Sequence, residues 1–185
     1  MRLFVALDVP SSARSTLADA IAPLRARHHA LRWISPSTWH LTLAFLGPTP
    51  VARRVRAQIA LQSVAWTAQP FQLLLDGRLE RFGDRVLWAG VASTGEGLTE
   101  LATAVREALA SAGVPTEDRP FRAHLTVARA RRDQKVPRVS TPLALPSHPV
   151  RWTVSRMALM ASQQDCGGSR YRAVATWPLR GEPPA

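Results

Sequence analysis

The sequence predicts an α+β fold of two similar lobes, each with an antiparallel sheet, that line one central cleft. Strand-like and helix-like segments follow one another along all 185 residues, as expected of one mixed domain. The chain also repeats itself: His-Leu-Thr occurs at 40–42 and at 124–126, an offset of 84 residues (124 − 40). At that same offset Arg2-Leu-Phe-Val5 falls on Val86-Leu-Trp-Ala89 without a gap. An identical tripeptide at the repeat offset argues against coincidence and indicates a pseudo-twofold relation between the lobes.

Each element is predicted from its apolar spacing and from the glycine or proline that stops it. The predicted strands are Arg2–Asp8, His40–Leu46, Phe71–Leu75, Arg85–Val91, Phe121–Arg129, Val150–Met160 and Arg170–Trp177. The predicted helices cover about residues 12–28, Val51–Trp66 and Glu96–Ser111, the last with Gly113 just past its end. The proline-rich, basic segment Arg131–Pro149 is expected to be a loop. We therefore expect one bilobal domain over residues 1–180 and a frayed tail over Gly181–Ala185.

Composition narrows the class of protein. Lys+Arg is 24 against 13 Asp+Glu, a formal net charge of +11, which favours an anionic partner such as nucleic acid. No apolar run is long enough to span a membrane, and the N-terminal segment, interrupted by Asp8 and Pro10, is a poor signal peptide. A single cysteine, Cys166, excludes an intrachain disulfide. We expect a cytoplasmic monomer without an obligate protein partner.

The two His-x-Thr segments are the candidate catalytic residues. Side chains alternate between the faces of a strand, so His40 and Thr42 share one face, as do His124 and Thr126. If the lobes face each other, two imidazoles and two hydroxyls meet in the cleft. An imidazole gives or accepts a proton near neutral pH, and two of them can act on opposite sides of one phosphodiester. The hydroxyls can hydrogen-bond its non-bridging oxygens, and this chemistry needs no metal or cofactor.

Two other kinds of site fit the sequence less well. A zinc site usually takes three protein ligands with short spacing between some of them, and His28, His29 and His148 stand at no such spacing from His40 or His124. Cys166 lies in Asp-Cys-Gly-Gly without a neighbouring histidine, and the chain has no nucleophile elbow or glycine-rich phosphate loop.

The segments Trp39-His-Leu-Thr-Leu-Ala-Phe-Leu-Gly47 and Phe121-Arg-Ala-His-Leu-Thr-Val-Ala-Arg129 resemble the paired motifs of the 2H phosphoesterases. Within them, the chain looks most like the RNA 2',3'-cyclic phosphodiesterases, also called 2'-5' RNA ligases. The opening Arg2–Asp8 and the late Leu159–Ser162, followed by Gly168 and Tyr171, share this resemblance. One departure is Ala123, where the family usually has proline.

The resemblance implies the bilobal 2H phosphoesterase fold and the opening of RNA 2',3'-cyclic phosphate ends to 2'-phosphomonoesters, with 2'-5' ligation as the reverse reaction. It also implies that His40 is the proton donor and His124 the proton acceptor, a polarity that the repeat itself leaves open. RNA ends or cyclic nucleotides are then the expected substrates. The implied phosphate-binding residues are Thr42, Thr126 and Arg129, and the expected substrate contacts are Phe45 and Tyr171.

Three questions stay open at the level of sequence. Strand parity places Phe45 and Arg129 on the face opposite to the histidines, so both need a bend in the strand to reach the cleft. A module that binds a 2'-phosphate or a cyclic nucleotide without turnover would share the motifs, although it would not need a matched acid and base. The basic residues Arg131, Arg132, Lys135 and Arg138 are expected to contact the phosphates of a longer RNA.

Overall fold

The structure is a computed structural model that describes residues 1–132, 134–138, 142–165 and 168–181. Cys166 and the end of the predicted tail, 182–185, lie outside the described residues. The strands are β1 (Arg2–Asp8), β2 (Arg32–Trp33), β3 (His40–Pro48), β4 (Phe71–Phe82), β5 (Val86–Ser93), β6 (His124–Arg129), β7 (Arg151–Val154), β8 (Arg156–Asp165) and β9 (Gly168–Pro178). The helices are α1 (Ser11–Arg27), α2 (Val51–Thr67) and α3 (Gly97–Ser111).

The strands of the described chain form one antiparallel sheet in two matching halves. The order is β7-β4-β5-β6-β3-β1-β8-β9, and the short β2 pairs with β6. The 84-residue offset carries β1 onto β5, α1 onto α3 and β3 onto β6, so the predicted fold and its repeat are confirmed. The halves meet where Leu41 on β3 pairs with Leu125 on β6, two residues that are themselves 84 apart. The pseudo-twofold relation is therefore centred on this pair, and the two predicted sheets are continuous.

The helices pack one apolar face each against the core. In α1 the buried residues are Ala13, Leu17 and Ile21, a spacing of four that keeps one side of the helix inward. In α3 they are Leu98, Leu101, Ala102, Val105 and Leu109. Gly113 ends α3 as predicted: its φ of 65° lies in the left-handed region, a conformation that glycine adopts at little cost. The turn is closed by the Val114 N–H, which donates to the Leu109 carbonyl at 2.9 Å.

Two strand boundaries differ from the sequence prediction. The strand predicted over Phe71–Leu75 continues to Phe82, because residues 76–78 bulge out opposite Gly90 instead of ending the strand. Asp76 and Arg78 form an ion pair within this bulge. The single strand predicted over Val150–Met160 is two strands, since Ser155 separates β7, which pairs with β4, from β8, which pairs with β1.

The predicted boundaries also change at β6 and at the tail. The strand predicted from Phe121 starts at His124. At the C-terminus, Gly181 donates its N–H to the Ala68 carbonyl at 3.0 Å, and Arg180 donates to Ala65 at 3.1 Å. Residue 181 is thus held against the end of α2, whose last carbonyls have no partner within the helix.

Candidate active site

The two His-x-Thr segments lie side by side at the junction of the lobes. Because Leu41 pairs with Leu125 in an antiparallel register, the same register sets His40 opposite Thr126 and Thr42 opposite His124. All four side chains line one cleft of about 870 Å³. Within the described part of the chain, neither threonine hydroxyl has a hydrogen-bond partner. The cleft therefore presents two imidazoles and two uncommitted hydroxyls on one face of the sheet.

Each imidazole is oriented by a backbone carbonyl two residues upstream. The His40 Nδ1–H donates to the Thr38 carbonyl at 2.8 Å, and the His124 Nδ1–H donates to the Arg122 carbonyl at 2.7 Å. A carbonyl only accepts, so the proton of the neutral ring is on Nδ1 and Nε2 is the atom that gains and loses a proton. Thr38 and Arg122 are again 84 residues apart. The repeat could have indicated that the two rings are held alike, but side-chain patterns alone do not reveal a carbonyl acceptor.

Burial lowers the pKa of both imidazoles below the ordinary histidine value. For His40, desolvation is the largest cause; the hydrogen bond to Thr38 opposes it, and the charges of His124, Arg129 and Arg14 lower the pKa further. For His124, desolvation is again the largest cause; the hydrogen bond to Arg122 opposes it, and Arg129 adds to the lowering. These shifts favour the neutral rings, and an anion bound in the cleft would stabilise an imidazolium there.

Aromatic rings enclose each imidazole and produce that burial. His40 packs against Phe4 and Tyr171, with ring centroids 4.8 and 5.0 Å apart. His124 packs against Phe82 and Trp88 at 4.8 and 5.8 Å. The sequence analysis singled out Tyr171 and missed the other three. The repeat could have indicated two of them, because Phe4 and Trp88 occupy equivalent positions in the overlay of the two halves.

Phe45 and Arg129 both line the cleft, so the face that strand parity assigned to them is wrong. The pairing of β1 with β3 skips Leu43, since Val5 pairs with Ala44 and Ala6 pairs with Thr42. A bulge inserts one extra residue and reverses the alternation beyond it. Phe45 thereby returns to the face of the histidines.

The second lobe repeats this bulge at the equivalent position. The pairing of β5 with β6 skips Val127, since Leu87 pairs with Ala128 and Trp88 pairs with Thr126. Arg129 is brought to the cleft face in the same way as Phe45. Its charge acts on both imidazoles, which places it close to the paired histidines.

The basic loop predicted to contact RNA lies elsewhere. Its residues Arg131, Arg132, Lys135 and Arg138 are not among those that line the cleft. Arg85 donates hydrogen bonds to three carbonyls of this loop, and Lys135 pairs with Asp84 at 3.5 Å. The loop is therefore bound to the turn between β4 and β5, and its contact with RNA stays a prediction.

The cations of the cleft come from other elements. The arginines that line it are Arg2, Arg32, Arg81, Arg106, Arg119, Arg122 and Arg129, and the one carboxylate among the described lining residues is Glu117. The cleft is thus strongly electropositive, as a site for a phosphate-bearing ligand requires. Over the described residues, no three His, Cys, Asp or Glu side chains are grouped so that they could hold a metal ion. None of the described helices combines the length and the apolar composition needed to cross a bilayer.

Comparison with known proteins agrees with this geometry. A family model described as the 2'-5' RNA ligase superfamily matches residues 10–165. The chain belongs to the 2'-5' RNA ligase superfamily. It is 30% identical over 184 residues to a protein of Escherichia coli K12 named RNA 2',3'-cyclic phosphodiesterase, with 96% of each chain covered. The crystal structure of E. coli LigT in its apo form has a TM-score of 0.78 and 29% identity to this chain, and 97% of both chains is covered.

A third relative of the superfamily is longer. The RNA 2',3'-cyclic phosphodiesterase of Geobacillus stearothermophilus is 30% identical over 188 residues, which are 97% of this chain and 58% of that protein. This chain therefore spans little more than half of that relative's length. Both curated relatives are named as phosphodiesterases, so the predictions of the family and of a phosphodiesterase enzyme are confirmed.

Proposed function

We propose that this protein hydrolyses RNA 2',3'-cyclic phosphate ends to 2'-phosphomonoesters by two-histidine acid–base catalysis without a metal ion. The observation that carries the proposal is the matched pair of imidazoles in one cleft, each with Nδ1–H bound to a carbonyl so that Nε2 is the titrating atom. Relatives over most of the chain are named for this activity. A protein that only binds the ligand would not require two rings held alike for proton transfer.

The reaction starts with one imidazole neutral and the other protonated. Neutral His124 accepts a proton from water at Nε2 while the water oxygen bonds to phosphorus. The bond from phosphorus to the 3' oxygen breaks, and that oxygen takes the proton from Nε2 of protonated His40. The 2' ester bond stays intact. Solvent restores the proton on His40 and removes the one on His124. With a 5' hydroxyl end in place of water as the nucleophile, the same steps form a 2'-5' linkage.

The other cleft residues hold the phosphate and the nucleoside. The hydroxyls of Thr42 and Thr126 donate to the non-bridging oxygens, and the Arg129 cation balances their charge. Phe45, which is 42% exposed within the cleft, offers a face on which a base can stack. Tyr171, in edge contact with His40, supports the ring of the proton donor. Because all of these residues come from one chain, we propose that the monomer is active.

Activity is expected to survive complete removal of divalent ions. Side chains supply the acid, the base and the phosphate ligands, and no described cluster offers three metal-binding groups. The assay is turnover of an oligonucleotide with a 2',3'-cyclic phosphate end in excess EDTA, with the 2'-phosphate product identified by ³¹P NMR. Loss of activity that one particular metal restores would contradict the metal-independent mechanism, and binding without turnover would support the binding module instead.

The pH dependence of kcat/KM is expected to be a bell with its maximum below pH 6.5. This profile reports the free enzyme, in which burial and Arg129 lower the pKa of both histidines below the ordinary value. At lower pH the base becomes protonated, and at higher pH the acid loses its proton. A bound phosphate anion raises both pKa values, so the kcat bell should lie at higher pH. Arg129→Gln should also move the kcat/KM bell upward, and a maximum above 6.5 in the unaltered enzyme would contradict this account.

A further inference from the structure

The short strand β2 creates a pair of arginines at one end of the cleft. Arg32 on β2 is the direct antiparallel partner of Arg129 on β6, and both line the cleft. Residues directly opposite in such a ladder share a face, with Cβ atoms about 4.5–5.5 Å apart. Two guanidinium groups are therefore presented side by side to the same space.

No carboxylate in the described part of the chain pairs with these two arginines. Among the described residues neither Arg32 nor Arg129 forms an ion pair or a side-chain hydrogen bond, although like charges directly opposite destabilise a sheet. Burial lowers the pKa of Arg129, the neighbouring Tyr171 opposes this, and the charge of Arg32 lowers it further. Phosphate anions bound at the two guanidinium groups would relieve both the desolvation and the repulsion.

The opposite end of the cleft is built differently. At the 84-residue offset, Thr116 takes the place of Arg32 and Phe45 the place of Arg129. A backbone contact between the corresponding segments is kept there, because the Glu117 N–H donates to the Phe45 carbonyl at 3.1 Å. The arginines at this end have acidic neighbours: Arg119 lies 3.7 Å from Glu117, and Arg106 lies 3.7 Å from Asp118. The repeat thus leaves one end of the cleft with an unbalanced cationic pair and the other with an aromatic ring and a carboxylate.

Arg129, and not Arg32, acts on the two imidazoles of the reacting centre. Arg129 is three residues beyond Thr126 on β6, which is at most about 10 Å along the strand. Its charge shifts the pKa of both histidines, whereas Arg32 is not among the groups that shift either one. Arg129 is therefore assigned to the reacting phosphate, which leaves its neighbour Arg32 available for an adjacent anion.

We propose that Arg32 binds the phosphate that precedes the reacting one, on the 5' side of the terminal nucleotide, while Arg129 beside it balances the charge of the reacting phosphate. This subsite rests on the proposed function, and it makes the enzyme select the end of a chain over an isolated cyclic nucleotide. It also sets the direction of the substrate: the chain continues over the arginine pair, and the base of the terminal nucleotide lies toward Phe45. The asymmetry between two otherwise equivalent lobes supplies this direction.

A binding experiment tests the subsite without turnover. Calorimetry would compare adenosine 2'-phosphate with adenosine 2',5'-bisphosphate, which differ only by the 5' phosphate. A charge-assisted contact to that group is expected to strengthen binding to the unaltered protein at least about tenfold. Arg32→Gln should abolish most of this advantage, whereas Arg2→Gln, the same change at another arginine of the cleft, should keep it. Equal binding of both ligands, or an equal loss in both variants, would overturn the proposal.

A kinetic experiment separates this proposal from the proposed function. The substrates are adenosine 2',3'-cyclic phosphate and the dinucleotide ApA with a 2',3'-cyclic phosphate end, which adds the preceding phosphate. The KM of the dinucleotide should be lower than that of the mononucleotide. Arg32→Gln should raise the KM of the dinucleotide about tenfold and leave that of the mononucleotide unchanged. Thermal unfolding of the variant checks that it is folded. If Arg32→Gln weakened both substrates equally, the subsite would be wrong and the function would stand. If the unaltered protein turned over neither substrate, the function would be wrong, and calorimetry would still decide the subsite.

Discussion

Replacing either His40 or His124 by alanine is expected to lower kcat by orders of magnitude with little change in KM. In the proposed mechanism each ring performs one proton transfer, and such a transfer is typically worth about 10²–10⁴ in rate. Substrate binding depends on other groups of the cleft, so it should persist. The double variant should be scarcely worse than either single one, because residues that act as a unit are not additive.

A substrate with a better 3' leaving group assigns the roles of the two rings. Such a substrate needs no general acid, so it should rescue the variant that lacks the proton donor and not the variant that lacks the base. Rescue of His40→Ala would support the proposed polarity, and rescue of His124→Ala would reverse it. His148→Ala, at an exposed loop histidine, is the matched control and should keep full activity. Unchanged activity in both cleft variants would contradict the two-histidine mechanism.

Thr42→Ala and Thr126→Ala are each expected to lower kcat about 10²-fold. Each change removes one hydroxyl donor to the non-bridging oxygens, where negative charge develops in the transition state, and loss of one such donor typically costs about 10²–10³. No proton transfer is lost, so the effect should be smaller than that of the histidine variants. The measurement is steady-state kcat on the cyclic-phosphate oligonucleotide.

Serine variants are the control for the threonine prediction. Thr42→Ser and Thr126→Ser keep the hydroxyl and lose only a methyl group, so they should retain most of the activity. The pH at which the bell has its maximum should also stay in place in the alanine variants, because neither threonine is among the groups that shift the pKa of the histidines through its side chain. Serine variants as inactive as the alanine variants would mean that the hydroxyls do not bind the phosphate.

The order of strands and helices could be predicted because it follows from local pattern. Apolar spacing and stop residues located α1, β1 and α3 to within a few residues. The strand boundaries that differ from the prediction are those that depend on pairing with a neighbouring strand. The segment 76–78 contains Asp76 and Gly77, residues typical of a turn, yet pairing with β5 carries the strand past them. Ser155 ends one strand and begins another because the two flanking segments pair with different lobes.

The candidate catalytic side chains could be predicted from the sequence, and the groups that orient and enclose them could not. Repetition of His-x-Thr at one offset predicted which four residues meet in the cleft, since a strand places alternate side chains on one face. The Thr38 and Arg122 carbonyls that orient the rings leave no trace in side-chain pattern. The enclosing rings Phe4, Phe82 and Trp88 come from neighbouring strands, so their contact depends on pairing.

By itself, the sequence determined the two-lobed fold, the family resemblance and the equivalence of the two histidines. Tertiary structure alone decided how that equivalence is broken. Bulges at Leu43 and Val127 turn Phe45 and Arg129 into the cleft, and β2 sets Arg32 beside Arg129. The physical reason is that a bulge and a strand pairing are relations between two segments. Local periodicity predicts only the face on which a residue lies in a regular strand. It does not show which neighbouring strand introduces a bulge and so changes that face.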